Sequence, residues 1–234
     1  IKTVTALGGY AATALTAVTV QDTQKVHAVH ALPDQVVGEQ IRVVLEDIGA
    51  DVIKVGMIGA RKTGELILNT LESYADIPLV LDPVLVATSG DQLGDESVVT
   101  LLREEFLARA TLITPNVPEL EVLTGHKIRS SGELEFAAHQ LCEMGAQSVM
   151  AKAGHLSGDI VRDIYVEGGW VTPIEHPRQK TPHTHGTGCT LASAIATGLA
   201  QGLNGREACR RAVKYVSAAI RHAPGLGKGH GPLN

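Results

Sequence analysis

The chain has 234 residues, of which 44% are hydrophobic and 3% aromatic, and its formal net charge is −5. A chain of this length can bury a substantial core, and no shift in composition divides it, so we expect a single domain over residues 1–234. Scattered lysines and arginines argue against nucleic-acid and membrane partners, and three cysteines without ligand spacing favour a reducing, cytoplasmic location over a disulfide framework or a zinc site.

Short β-branched runs are the predicted strands. Continuous apolar strands that alternate with helical patterns indicate an α/β fold, with a mostly parallel sheet covered on both faces. Two runs at 160–166 and 170–174, separated by Gly168-Gly169, predict a hairpin and therefore an antiparallel edge. The predicted parallel strands are 14–20, 52–55, 78–82, 111–114 and 148–152.

Helical periodicity fills the segments between these strands. The last two predicted helices, 187–202 and 206–222, are expected to pack as a pair, and the glycine-rich segment 225–231 is expected to be a loop. The other predicted helices are 33–48, 62–74, 96–107 and 132–144.

Residues that directly follow the strands are the candidates for function. In a parallel sheet the ligand lies outside the carboxyl ends of the strands, so these residues are expected to surround a small-molecule substrate. They are Gln21 and Asp22; Gly56 and Met57; Asp82, Pro83 and Val84; Pro115, Asn116 and Glu119; and Lys152, Gly154 and His155.

Three of these residues supply hard oxygen ligands. Asn116 and Glu119 lie three apart at a predicted helix start, and with Asp82 they are able to hold Mg²⁺ through water and deliver it to nucleotide phosphates. The alternative for Asn116 and Glu119 is a capping box without chemistry, and Asp82 before a proline is also typical of a turn.

Lys152 follows an apolar strand and can offer a point charge to a phosphate, although a solvated lysine at a strand end is an equal alternative. Gln21 and Met57 suit a pocket for a small heteroaromatic ring, since an amide recognises ring heteroatoms and a thioether packs on the ring face. On their own, such residues are more often found at a core edge or on the surface.

The stretch 183–190 (His-Thr-His-Gly-Thr-Gly-Cys-Thr) leads directly into a predicted helix. Glycines at a helix start let ligand oxygens approach, and the free N–H groups and the dipole there attract phosphate. Cys189 would lie beside that phosphate, where the local field favours a thiolate and a proton acceptor could act on a substrate hydroxyl. The alternative is a glycine-rich turn with a buried cysteine. The ten histidines show no metal-ligand spacing, and no Walker phosphate loop is present.

Together these motifs resemble a known family, the hydroxymethylpyrimidine/phosphomethylpyrimidine kinases of thiamine biosynthesis, a branch of the ribokinase superfamily. The likeness covers nearly the whole chain in collinear order. The motifs that carry it are Lys54-Val55-Gly56-Met57, Asp82-Pro83-Val84, Ala87-Thr88-Ser89-Gly90, Thr114-Pro115-Asn116 to Glu119, Lys152-Ala153-Gly154-His155 and Thr184-His185-Gly186-Thr187-Gly188-Cys189.

The resemblance implies a ribokinase-like three-layer α/β/α sandwich. It also implies an enzyme that uses ATP and Mg²⁺ to phosphorylate 4-amino-5-hydroxymethyl-2-methylpyrimidine and then its monophosphate. It further implies a homodimer and a set of roles. Cys189 would be the catalytic base and Gly186, Thr187 and Gly188 the anion hole; Asn116, Glu119, Lys152, His155, Thr184 and Lys214 would serve the nucleotide, Asp82 and Glu119 the metal, and Gln21, Met57 and Val84 the pyrimidine.

Two departures from the family pattern bear on the site. The family opens with a strand and a glycine-rich loop that contribute to the substrate pocket, and this chain begins at Ile1, where that loop should end, so we expect a segment ahead of it. Ala153 stands where the family has glycine. Two alternatives stay open: a pyridoxal kinase on the same fold, and a binding protein that has lost turnover.

Overall fold

The computed structural model describes residues 1–85 and 94–234, so the quoted motif Ala87-Thr88-Ser89-Gly90 lies outside the described residues. The described strands form two separate sheets. A six-stranded sheet has the order β3-β4-β5-β6-β7-β8, and a two-stranded sheet pairs β1 with β2. The strands are β1 (Ala17–Gln21), β2 (Val26–Ala31), β3 (Ile53–Val55), β4 (Leu79–Leu81), β5 (Leu112–Ile113), β6 (Ser148–Ala151), β7 (Ile160–Glu167) and β8 (Trp170–Pro177).

Strands β3 to β6 run parallel, and β6, β7 and β8 pair antiparallel, which confirms the predicted parallel sheet with its hairpin at one edge. The placement of the first predicted strand in that sheet is wrong. Strand β1 pairs antiparallel with β2, and four of its five residues are exposed. The β-branched residues of β1 give it strand propensity but do not determine which strand it pairs with. Strand β2 was not predicted, because His27 and His30 interrupt the apolar residues of β2.

The helices match the predicted pattern, with additions. The segment predicted as one helix at 96–107 contains a π-helical stretch, Leu102–Phe106, between two α-helical pieces. The short α1 was not predicted, and α6 was anticipated only as a helix start at Asn116. The helices are α1 (Lys2–Ala6), α2 (Asp34–Asp47), α3 (Arg61–Leu71, continued by a 3₁₀ turn at Glu72–Tyr74), α4 (Glu96–Leu101), α5 (Leu107–Arg109), α6 (Val117–Thr124), α7 (Ser131–Glu143), α8 (Thr187–Ala200) and α9 (Gly205–Arg221).

Helices cover both faces of the central sheet. Leu79 and Leu81 of β4 join a core that includes residues of α2, α3, α6 and α7, whereas Val80 between them joins a second core with α8 and α9. This division follows from the alternation of side chains along a strand. The three-layer α/β/α fold class is therefore confirmed. Among the described residues, no helix has the length and apolar character needed to cross a membrane.

Backbone hydrogen bonds continue past the carboxyl ends of the parallel strands and hold the following residues together. The amide of Asp82 donates to Val55 O (2.8 Å), that of Thr114 to Leu81 O (2.9 Å) and that of Lys152 to Pro115 O (2.9 Å). The residues that follow β3, β4, β5 and β6 therefore meet at one edge of the sheet, as expected of a parallel arrangement.

Candidate active site

Asp82, directly after β4, is the buried centre of this edge, with 1% of its surface exposed. Its Oδ1 accepts a hydrogen bond from Thr114 Oγ1 (3.0 Å) and lies 3.2 Å from Lys152 Nζ. Its Oδ2 has no hydrogen-bond partner among the described residues, and Lys54 Nζ is 3.8 Å away. Burial alone would raise the pKa of Asp82, but Lys152, Lys54 and the Thr114 hydroxyl hold it below its usual value.

Lys152 connects Asp82 to a second carboxylate. Its side chain is 14% exposed, and its Nζ lies 3.8 Å from Glu119 Oε2 in addition to its contact with Asp82. Burial would lower the pKa of Lys152, but the two carboxylates raise it above its ordinary value. The ammonium is therefore fixed in its charged form, and the alternative of a solvated lysine at a strand end is wrong because acidic side chains surround it.

The loop after β6 that carries Lys152 is held by the β7–β8 hairpin. The amide of Ala153 donates to Oδ1 of the buried Asp163 (2.7 Å), and His176 Nε2 lies 3.3 Å from Asp163 Oδ2. Arg178 donates to the carbonyls of residues 154, 156 and 158. His155 lies in this loop, and partial loss of hydration of its ring together with the charges of Lys152 and Arg178 lowers its pKa.

Asn116 and Glu119 form the capping box that the spacing left open as an alternative. Asn116 Oδ1 accepts from the Glu119 amide (2.9 Å), and Glu119 Oε2 accepts from the Asn116 amide (2.7 Å). The cap uses one lone pair of the Asn116 oxygen, so the capping box is present and the role of Asn116 toward the metal stays a prediction. Glu119 is 4% exposed, and burial together with the charge of Asp82 raises its pKa to about 7, although Lys152 opposes the shift.

The first turn of α8 faces this cluster. Gly186 is its N-cap, in the left-handed conformation (φ 84°), and supplies no side-chain cap. Within the described residues, the amides of Gly188 and Cys189 have no hydrogen-bond acceptor. A Cβ on Gly188 would lie 3.3 Å from Lys152 Nζ and 3.9 Å from Asp82 Oδ2. The structure thus joins free N–H groups, a helix dipole and an ammonium at one place.

Cys189 lies on this turn, and its side chain reaches solvent. Loss of hydration at the cluster raises the pKa of the Cys189 thiol; Asp82 and Glu119 add to the shift, and Lys54 and Lys152 oppose it. The direction of this shift runs against the expectation that the local field favours a thiolate. Loss of hydration is the largest cause of the raised pKa, and spacing along the sequence reveals neither it nor the two nearby carboxylates.

The three residues expected to contact the pyrimidine come from two parts of the molecule. Met57 follows β3, and its carbonyl accepts from Thr16 Oγ1 (2.9 Å); Val84 follows Asp82 and is half-buried. Gln21 is exposed at the end of β1, where a bulge shifts the register with β2. The β1–β2 hairpin thus carries one of the three, and the central sheet carries the other two.

The C-terminal tail connects that hairpin to the loop before α8. Thr23 Oγ1, in the hairpin turn, accepts from the amides of Lys228 and Gly229, and Thr23 O accepts from the His230 amide (2.7 Å). Next to this contact, the amide of His185 donates to Gly231 O (3.1 Å). Sequence reasoning described the tail only as a loop. The glycines at every second position of the tail were the signal for this close contact. A Cβ on Gly227, Gly229 or Gly231 would overlap Thr23 or His183.

Two further predicted nucleotide residues, Thr184 and Lys214, lie on different elements. Thr184 accepts from the Thr187 amide (3.3 Å) in the loop that leads into α8. Lys214 is exposed on α9, in a cavity against β8 whose lining includes neither Lys152 nor Cys189. Lys54 was quoted as part of a motif without a role, although a lysine inside an apolar strand was a signal for one. No group of three or more His, Cys, Asp or Glu suited to a metal ion occurs in the part of the chain that the structure describes.

Comparisons with known proteins identify the family of the chain. The model of the family described as phosphomethylpyrimidine kinase matches residues 1–234. The chain is 46% identical over 235 residues to the thiamine biosynthesis bifunctional protein ThiED of Geobacter sulfurreducens, covering all of this chain and 48% of that protein. It is 41% identical over 236 residues to the hydroxymethylpyrimidine/phosphomethylpyrimidine kinase of Bacillus subtilis, covering all of this chain and 87% of that protein.

Among solved structures, the ADP complex of Bacillus subtilis pyridoxal kinase superposes with a TM-score of 0.93 at 28% identity, covering all of this chain and 89% of that chain. The resemblance found in the sequence is confirmed by these matches.

Proposed function

The chain belongs to the phosphomethylpyrimidine kinase family, and we propose that it phosphorylates 4-amino-5-hydroxymethyl-2-methylpyrimidine and then the resulting monophosphate, with ATP as donor, in thiamine biosynthesis. The observation that carries the proposal is the meeting of three features at one edge of the sheet: the open start of α8, the charged Lys152 and the buried Asp82. Phosphoryl transfer depends chiefly on positioning and charge neutralisation, and this arrangement suits both.

The start of α8 and Lys152 would bind the transferring phosphate. The unpaired amides of Gly188 and Cys189 point along the positive end of a 14-residue helix, and Lys152 adds a full charge beside them. Gly188 leaves the space that a side chain would fill. We assign Gly186, Thr187 and Gly188 to the anion hole, with Thr184 and His155 beside it.

The two carboxylates fit a magnesium ion that keeps most of its waters. Asp82 Oδ2 is a buried, unpartnered oxygen, and Glu119 is the second hard donor. When bound, magnesium would neutralise negative charge on the phosphates. Asn116 would serve the site indirectly, by fixing the backbone and side chain of Glu119 through the capping box.

Cys189 would accept the proton of the substrate hydroxyl at its Sγ. Its surroundings raise the pKa of the Cys189 thiol, so the sulfur must lose its own proton before it acts as a base. Lys54 and Lys152 are the charged groups of this chain that favour that loss. Gln21, Met57 and Val84 would contact the ring, Lys214 the distal part of the nucleotide, and we expect a cytoplasmic homodimer.

A coupled ADP-release assay tests the proposal. Purified protein is given ATP, Mg²⁺ and, in separate reactions, the pyrimidine alcohol, its monophosphate and pyridoxal. We expect turnover on both pyrimidines, with pyridoxal slower by at least about tenfold. Turnover on pyridoxal alone would favour the second candidate, for which the 0.93 superposition on a pyridoxal kinase is the specific support. Binding without any turnover would indicate a catalytically silent homologue.

A further inference from the structure

Lys54 is a cation at the site that the roles above leave without a contact to substrate. Its side chain extends from β3 and is 22% exposed. Within residues 1–85 and 94–234, its ammonium makes no hydrogen bond, and the one carboxylate near it is Asp82, whose Oδ2 lies 3.8 Å away. That oxygen also lacks a hydrogen-bond partner. A mostly buried ammonium with unused donors is costly unless something else completes its hydrogen bonds.

The neighbourhood of Lys54 differs from that of Lys152. A Cβ on Gly56 would lie 2.5 Å from Lys54 Nζ, so the ammonium rests against the backbone just before Met57. Lys152 instead lies against Gly188, at the start of α8. One lysine therefore borders the proposed ring contact and the other the proposed anion hole, with Asp82 between them.

The two proposed acceptors place different demands on the site. The alcohol is neutral and must lose a proton as its oxygen attacks. The monophosphate has a second pKa of about 6, so at neutral pH it is largely a dianion that has no proton to lose but is repelled by the phosphates of the donor. Phosphorylation of the monophosphate thus needs an extra positive charge on the acceptor side and has less need of a base.

We propose that Lys54 binds the phosphate of the monophosphate acceptor and so enables the second phosphorylation more than the first. This inference rests on the proposed function. In the step it supports, an oxygen of the acceptor phosphate forms a bond to the terminal phosphorus of ATP while the bond from that phosphorus to the bridging oxygen breaks. ADP leaves with that electron pair, and the dianionic acceptor releases no proton. Lys54 neutralises part of the acceptor charge throughout.

Lys54→Met tests the proposal, because it keeps most of the length of the side chain and removes its charge. We expect kcat/KM for the monophosphate to fall roughly 20- to 100-fold, the range for a lost charged hydrogen bond. We expect kcat/KM for the alcohol to fall less than about fivefold, a loss that reflects the weaker support of proton loss from Cys189, which Lys152 still favours. Cys189→Ala should show the opposite pattern, with a larger loss of kcat/KM for the alcohol than for the monophosphate. Lys54→Arg should restore part of the monophosphate activity.

Lys62→Met is the matched control, since that lysine is 84% exposed and contacts only Asp34 at 3.7 Å among the described acidic groups. It should leave both activities unchanged. A second readout needs no turnover: in isothermal titration without nucleotide, the wild type should bind the monophosphate more tightly than the alcohol, and Lys54→Met should remove that difference.

Equal losses of kcat/KM on the two acceptors in Lys54→Met would overturn the assignment, because Lys54 would then act through Asp82 or Cys189. A rise in KM for ATP that is the same with both acceptors would also overturn it, because Lys54 would then act on the donor. An unchanged preference for the monophosphate in titration would overturn it as well. These results differ from failure of the proposed function, in which the wild type phosphorylates neither pyrimidine. If it phosphorylated the alcohol alone, the second half of that function and the role of Lys54 would fail together.

Discussion

Helices α6 and α8 begin at the same edge of the central sheet, and their first turns are completed in different ways. At α6, Asn116 and Glu119 satisfy each other's backbone amides through the capping box. At α8, Gly186 offers no side chain, and the amides of Gly188 and Cys189 are without acceptors in the described structure. One helix start is closed by its own sequence, and the other is open to a ligand.

The contrast explains why similar helix dipoles have different uses here. Of the two described helix starts, α8 leaves the amides of its second and third residues without acceptors, whereas α6 uses its first turn to hold a carboxylate in place. Lys152 is shared between the two, 3.8 Å from Glu119 Oε2 and beside Gly188. A phosphate at α8 would therefore meet a lysine whose position the α6 carboxylate helps to set.

The largest expected effect is at the open helix. Cys189→Ala should lower turnover on the pyrimidine alcohol by roughly 10² to 10⁴, because the proton of a primary alcohol must leave as the phosphoryl group arrives. Nucleotide affinity, measured by titration with a non-hydrolysable ATP analogue, should change little, since the backbone amides remain. Wild-type turnover in this variant would show that the first turn of α8 binds phosphate without supplying a base.

A methyl group at the open turn should have the next largest effect. Gly188→Ala places a Cβ 3.3 Å from Lys152 Nζ, in the space assigned to phosphate, so kcat/KM for ATP should fall about tenfold or more. The midpoint temperature of thermal unfolding should be unchanged or slightly higher, because alanine is favoured over glycine in a helix by up to about 1 kcal/mol.

Gly132→Ala is the control for that substitution. Gly132 is also the second residue of its helix, and the nearest atom to its added Cβ is Ser130 Oγ at 4.0 Å. Its activity should match the wild type. If Gly188→Ala were equally active, phosphate would have to bind elsewhere than at the start of α8.

How far the sequence predicts this molecule depends on the range of the interactions. The central strands and most helices were predicted, because apolar alternation and helical period are local signals. The partner of β1 and the contact between Thr23 and the tail were not predicted, since they join residues distant in sequence. The capping box was recognised, but the raised pKa of Glu119 was not, because it arises from burial beside Asp82.

A smaller effect is expected at the closed helix. Asn116→Ala removes the side-chain acceptor of the capping box and should cost about 1 kcal/mol in the free energy of unfolding. Because Glu119 would lose its fixed position, the Mg²⁺ concentration for half-maximal rate should also rise, and Glu119→Gln should raise it further. Chemical denaturation and a magnesium titration of the rate measure the two effects.

Asn204→Ala separates capping from chemistry. Asn204 caps α9 by accepting from the Glu207 amide (3.0 Å), away from the cluster. Asn204→Ala should reduce the free energy of unfolding by a similar amount, but the Mg²⁺ concentration for half-maximal rate should not change. If Asn116→Ala behaved identically, the first turn of α6 would be only a helix cap, and the two helix starts would differ in structure but not in function.

The smallest expected effect concerns the loop that presents Lys152 to both helices. Asp163 accepts from the Ala153 amide, and its hydrogen bond and charge raise the pKa of His176 above the ordinary 6.5, against partial burial and the charge of Arg178. A raised folded-state pKa means that the stabilisation is complete below about pH 6.5 and is lost as the pH rises through the higher folded value. His176→Gln should therefore reduce the free energy of unfolding by about 0.5–1 kcal/mol at pH 6 and by less at pH 9.

Urea denaturation of the wild type and of His176→Gln across this pH range measures the difference. A pH-independent difference would show that Asp163 holds the Lys152 loop without help from the imidazolium charge, and that the position of the shared lysine is set by the Ala153 hydrogen bond and the two carboxylates alone.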